Sequence, residues 1–209
     1  MKGVSFDEKH SYKDFKLITN DITVGYPSVK MNYVDVPGRD GSLDLTESMG
    51  GIRYDDRKLE FKFTMMGTSE EMKSRIAGFL TWGRKKIILD KDKEYYYSGR
   101  CTVNSFVNNK TVSELSVTAL CDPYKYRIHE TIHREKISGS KTIILSNDRK
   151  TAIPVIECEN TMKIGFEGRN YELKEGRHKI LDIQLKEGYN RLMVSGSGII
   201  TVIWQEGAI

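Results

Sequence analysis

Leu59-Glu60-Phe61-Lys62-Phe63-Thr64-Met65 alternates apolar and polar residues with a period of two. That period puts every second side chain on one face, so the stretch reads as a strand with one buried and one wet side. Working outward, Lys16 to Ile18, Ile22 to Val24, Lys86 to Leu89, Tyr95 to Tyr97 and Leu115 to Leu120 are further β-prone runs. Val107-Asn108-Asn109-Lys110 reads as a turn, because Asn tolerates left-handed backbone angles. The chain is expected to be mainly β.

One helix stands out in the first half. Thr68 and Glu71 have the spacing of a capping box, and Met72, Ile76, Phe79 and Leu80 follow at i, i+4, i+7 and i+8 as one apolar stripe. Gly83 is placed to stop it. Such a helix packs its stripe on a sheet, so residues 1–135 are expected to form a β-barrel-like domain with one helix.

The pattern changes after about Glu135. Turn residues then recur at short spacing: Ser138-Gly139-Ser140, Ser146-Asn147-Asp148, Glu167 to Asn170, Lys174 to Gly176, Lys186 to Asn190 and Gly196-Ser197-Gly198. The intervening runs, Lys141 to Leu145, Ile153 to Cys158, Met162 to Phe166, Lys179 to Leu185, Arg191 to Val194 and Ile199 to Trp204, read as short strands. Residues 136–209 are expected to be an antiparallel β-sandwich without helix, the boundary falling near residues 134–138.

The net charge of +4 comes from 33 basic and 29 acidic residues, interspersed as in Asp55-Asp56-Arg57-Lys58. A phosphate-neutralising face needs concentrated basic charge, so this balance speaks for a solvated surface. The four prolines are too few for a polyproline linker. Cys101, Cys121 and Cys158 are odd in number and widely spaced, which fits neither a disulfide framework nor a CxxC metal site. The first nine residues hold no apolar core of a secretory signal, and no apolar run approaches the ~18 residues of a membrane span. A reducing cytosol is the expected place of synthesis.

His129-Glu130-Thr131-Ile132-His133 spells HExxH. On a helix its two imidazoles share a face and bind zinc, the Glu deprotonates a bound water, and Glu157 or Glu159 would be candidates for a third ligand. A strand reading competes. It puts Tyr126, Ile128 and Ile132 on one face, and Arg127, His129, Thr131 and His133 on a wet one. Thr131 and Ile132 are β-branched and suit a strand, and Asp122-Pro123 breaks any earlier helix. We expect the motif to be coincidental, with no metal, cofactor or catalytic residue, and His129 and His133 as the zinc alternative. No GxSxG elbow or phosphate-binding loop occurs, and the GxG at Gly196 to Gly198 precedes a strand rather than a helix.

Val36-Pro37-Gly38-Arg39-Asp40-Gly41-Ser42-Leu43-Asp44-Leu45-Thr46 resembles the VPGRDGxLDLT signature of phage distal tail proteins. Ser5-Phe6, His10 to Phe15, Arg57 to Phe63, Tyr96 to Cys101 and Cys121 to Tyr126 follow that family's landmarks in order, and Pro154, Gly188-Tyr189-Asn190 and Trp204 are similar to its galectin-like sandwich. The resemblance implies a non-enzymatic ring subunit at a virion tail tip, made in the bacterial cytoplasm. The ring, a hexamer in this reading, would join the tail-tube protein to a tail-tip hub or tail-associated lysin. DNA would cross its channel, and the C-terminal sandwiches would dock receptor-binding or baseplate proteins, with no membrane insertion. Pro37, Gly38, Arg39, Asp40 and Gly41 would be either an intrasubunit turn or a ring contact, with Pro fixing one angle and the glycines permitting positive φ. A carbohydrate-binding module is the alternative, with Trp204 and Tyr189 as candidates for an aromatic platform. Trp204, ending an apolar strand, reads more readily as core, and no galectin-type His-x-Asn-x-Arg motif occurs.

Overall fold

The computed structural model describes residues 3–48, 50–67, 69–109 and 111–209. The chain is mainly β, about 60% strand and 8% helix. It divides into two compact units, Met1–Lys125 with Ile209, and Tyr126–Ala208. This division falls ten residues before the expected 135/136 boundary, which lies inside a continuous strand of the second unit.

The first unit is built on an antiparallel sheet. Its strands are β1 (Val4–Phe6), β2 (Lys9–His10), β3 (Ile18–Val24), β6 (Arg57–Met66), β7 (Arg84–Leu89), β8 (Asp92–Asn109) and β9 (Val112–Arg127). Their order is β2-β1-β7-β8-β9-β6-β3. Two more short strands, β4 (Tyr33–Val34) and β5 (Leu43–Asp44), form a separate ribbon. The alternation at Leu59 to Met65 is realised in full: Leu59, Phe61, Phe63 and Met65 are buried, while Glu60 and Lys62 are exposed. Phe61 and Phe63 meet Phe6 edge-on, with ring centroids 5.4 and 6.5 Å away. Burying each such ring contributes roughly 1.5–3 kcal/mol.

Two helices accompany this sheet rather than one. The unforeseen helix is α1 (Ser11–Phe15), capped by the His10 ring, whose Nδ1 accepts from the amides of Tyr12 and Lys13 at 3.1 and 3.3 Å. Histidine is not a common cap, so the sequence pattern hid it. The expected helix is α2 (Glu70–Thr81). Its N-cap is Ser69, whose Oγ accepts from Met72 N at 3.2 Å; Thr68, the expected cap, lies outside the described residues. Ile76 and Leu80 are buried, and Met72 and Phe79 pack at the core's edge, so the stripe works as read. The strand β8 runs to Asn109, through most of the stretch expected as a turn at Val107 to Lys110, of which Lys110 lies outside the described residues.

The second unit is a curled six-stranded antiparallel sheet that folds over a single core as a β-sandwich. Its strands are β10 (Thr131–Asn147), β11 (Val155–Cys158), β12 (Met162–Phe166), β13 (Arg169–Leu173), β14 (Gly176–Lys179) and β15 (Gly188–Trp204). The spine is the β10–β15 pair, in unbroken register from Thr131↔Trp204 to Asn147↔Gly188. The far edge of β15 pairs with β11 at Ile200 to Ile203 and with β12 at Met193 to Ser195. Two expected turns, Ser138-Gly139-Ser140 and Gly196-Ser197-Gly198, are therefore not chain reversals. They face one another across the spine, with Gly139, Gly196 and Gly198 at φ of 89°, 150° and 116°. Glycines at such angles let a long strand bend sharply, which is how one sheet covers both sides of the core. The expected strand at Lys179 to Leu185 is mostly irregular, retaining Lys179 as the end of β14 and an isolated Ala152↔Leu185 bridge.

Candidate interaction site

The HExxH stretch is not helical. His129 and Glu130 are exposed in the bend between β9 and β10, whereas His133 lies within β10. Register then settles the faces. His133 pairs with Val202, which pairs with Ile156, whereas Arg134 pairs with Thr201, which pairs with Glu157. Paired residues share a face and neighbours along a strand alternate, so His133 and Glu157 point to opposite sides of the sheet. Glu157 meets Arg177 at 3.4 Å, and Glu159 accepts from Ile199 N at 2.8 Å. Among the described residues no group of three His, Cys, Asp or Glu is placed to hold a metal ion. The strand reading of this motif also had its faces reversed. Thr131, His133 and Glu135 share the core side with Trp204, Val202 and Ile200, while Ile132 is 63% exposed. A single exposed β-branched residue in a polar run gives no signal of which side is wet.

The two aromatic residues considered as a sugar platform are likewise separated. Trp204 is buried in the core and Tyr189 is 84% exposed, on the opposite face of β15. The second unit does carry a shallow groove of about 520 Å³, lined by Lys163, Gly165, Asn170, Glu172, Met193 and Ser195 among others, and neither aromatic borders it.

The signature segment lies at the end of an arm. Residues 25–56 leave the sheet after Val24 and return at Arg57, beside the paired residues Val24 and Leu59. Gly25 N donates to Lys58 O at 2.8 Å to start the arm. Asp55 N to Ser28 O (2.8 Å), Lys30 N to Arg53 O (2.9 Å) and Leu45 N to Asn32 O (2.8 Å) continue it as a two-stranded ribbon that ends in the β4–β5 pair. Pro37 to Gly41 form the tip, where Arg39 N donates to Val36 O at 3.2 Å and Gly38 and Gly41 take φ of 82° and 71°. The glycine reading holds there. Ser42 Oγ closes the tip on Asp35 Oδ1 at 2.6 Å.

No described residue of the arm is buried. Its apolar side chains face water: Tyr26 is 85% exposed, Met31 68% and Tyr33 55%, with Val34, Val36 and Ile52 close to 40%. An isolated two-stranded ribbon is marginal in water, and clustered exposed apolar side chains mark a surface that another molecule covers. Neither Arg39 nor Asp40 has an ion-pair partner among the described residues.

Comparison with solved structures places this architecture. The Dit protein of phage SPP1, described as a paradigm of the hub adsorption apparatus in phages infecting Gram-positive bacteria, superposes over 100% of both chains with a TM-score of 0.69 at 15% identity. The chain has the fold of a Dit protein. A conserved Pseudomonas aeruginosa protein of unknown function also matches, at a TM-score of 0.28 and 10% identity over 91% of this chain, which is too low to carry argument. No protein-family model matches the sequence, and no curated protein does. The likeness is one of fold, at low overall sequence identity.

Proposed function

We propose that this protein is a structural, non-enzymatic component of a phage tail tip, a distal tail protein. The observation that carries the reading is the Dit fold over the full length of both chains. In this reading copies of the first unit close into a ring, a hexamer, whose channel continues the tail tube and passes DNA. One side of the ring meets the tail-tube protein and the other the tail-tip hub or tail-associated lysin. The second unit docks receptor-binding or baseplate proteins. The wide, unburied arm supports self-association, since it leaves apolar area that a neighbour would cover. Pro37 to Gly41 then serve as ring contacts rather than as an internal turn, in line with the open space at Gly38 and Gly41, where an added Cβ would meet nothing within 4 Å.

Light scattering on the purified protein, with and without its tail-tube partner, followed by negative-stain imaging, tests this. Closed rings with a central hole are the expected result. A protein that stays monomeric even with tube and hub partners present would overturn the proposal.

A further inference from the structure

Charge is divided unevenly within the first unit. Residues 25–56 hold three basic and six acidic residues, a net charge of −3, while the rest of residues 1–125 holds 17 basic and 12 acidic, a net charge of +5. Within the arm, Asp35 accepts from Ser42, Asp44 from Thr46 N and Asp55 from Ser28. The carboxylates of Asp40, Glu47 and Asp56 have no ion-pair or hydrogen-bond partner among the described residues, and all three residues are exposed. The arm is therefore an acidic ribbon carrying exposed Tyr, Met and Val side chains, attached to a basic body.

The body offers one surface with the opposite character. On the outward face of four adjacent strands lie Arg84 of β7, Arg100 of β8, Leu120 of β9 and Lys58 of β6. Arg84 and Arg100 are direct partners across β7–β8, and Leu120 and Lys58 across β9–β6. Leu120 is 55% exposed at the centre of this face. Asp122 holds Arg84 at 2.6 Å and Glu60 holds Lys58 at 2.6 Å, but Arg100 has no carboxylate of its own among the described residues. Like charges directly opposite on a sheet repel, and Asp122 offsets the charge of Arg84 but leaves that of Arg100 unpaired among the described residues. An exposed leucine ringed by cations suits an acidic, apolar protein segment better than a bare phosphate chain, which has no use for the leucine.

Resting on the tail-tip reading above, we infer that the arm of one copy seats on the Leu120 face of a second copy, its unpaired carboxylates meeting Arg100 and its neighbours and its apolar side chains covering Leu120. The contact joins two different patches, so each copy gives one arm and receives one, as a closed ring requires. Charge complementarity also sets orientation and speeds encounter, which makes assembly sensitive to salt.

A charge swap on the full chain tests this, read by light scattering over a concentration series at low and high salt. Asp40→Lys with Asp56→Lys reverses the arm, and Lys58→Glu with Arg100→Glu reverses the face. These positions are exposed, so circular dichroism and melting should match the parent. Each double variant should raise the half-assembly concentration by about tenfold or more, in the range of interfacial charge pairs. Combining all four substitutions in one chain should recover most of the loss. Arm-reversed protein that assembles like the parent, or a combined variant that does not recover, overturns the arm contact while leaving the ring reading intact. A parent that forms no oligomer under any of these conditions, tail-tube protein included, removes the ring reading and the arm contact with it.

Discussion

At the scale of single residues, the cysteines do what their spacing suggested and no more. Cys101 and Cys121 are free, buried in the first core, and their thiols are pushed up to about 12 by burial in apolar surroundings. A thiol kept protonated is a poor nucleophile, so these residues are packing rather than chemistry. The sign of the linkage follows. The folded state holds these protons more tightly than the unfolded chain, so their stabilisation is complete below the ordinary thiol value near 9 and drains away as pH rises toward about 12. Each thiol then costs about 1.4 kcal/mol of stability per pH unit in that window. Denaturant melts at pH values on either side of the lower limit should show the parent losing up to about 2 kcal/mol per thiol more than a Cys101→Ala, Cys121→Ala variant once pH is ~1.5 units above it. Equal losses in both proteins would show that the thiols ionise freely in the fold. The HExxH match shows the opposite limit of residue-level reading. Its letters were visible, but whether they share a helix face depends on backbone conformation that two histidines do not determine.

Elements were legible where one physical signal dominated. The alternation at Leu59 to Met65 and the stripe of α2 both came through because each has a single period and a single buried side. The spine of the second unit did not, because glycine carries two meanings. Ser138-Gly139-Ser140 and Gly196-Ser197-Gly198 look like reversals in sequence, yet in the fold they are bends within β10 and β15. Only their mutual register distinguishes the two, and register is a long-range fact. The bends differ in how firmly they demand glycine. A Cβ at Gly198 would meet Asn160 Nδ2 at 2.7 Å and Glu159 Oε2 at 3.2 Å, whereas one at Gly139 meets nothing within 4 Å. Both sit at positive φ. Gly139→Ala should therefore cost only the backbone strain, about 1 kcal/mol, and Gly198→Ala should cost about 2–3 kcal/mol, because it also displaces the Asn160 and Glu159 bonds to Ser197 and Ile199. Chemical denaturation of the two variants checks the order; equal costs would mean that the bend at Gly198 relaxes without disturbing its neighbours. The arm belongs to this scale too. Its signature was quoted from sequence, but its exposure was not legible, since a run such as Met31-Asn32-Tyr33-Val34 reads the same whether a neighbour covers it or water does.

For the whole molecule, the two hydrophobic cores share no residue. Phe61, Phe63, Val117 and Ile76 belong to the first, and Leu192, Val194, Val202 and Trp204 to the second. The chain holds two tryptophans, and they fall one to each unit in very different surroundings. Trp82, just past α2, is 82% exposed, while Trp204 is 4% exposed. Unfolding moves an exposed indole from water to water and a buried one from apolar surroundings to water. Tryptophan emission therefore follows the second unit almost alone, while far-ultraviolet circular dichroism follows the strands of both. Phe61→Ala opens a cavity in the first core at a cost of about 3–5 kcal/mol, and it should shift the dichroism transition well ahead of the tryptophan transition. Val194→Ala should do the reverse, bringing the emission change forward while part of the dichroism persists. If either substitution moved both signals together, the two cores would be one cooperative unit, and a disturbance in the half proposed to form the ring would be felt in the half proposed to dock partners.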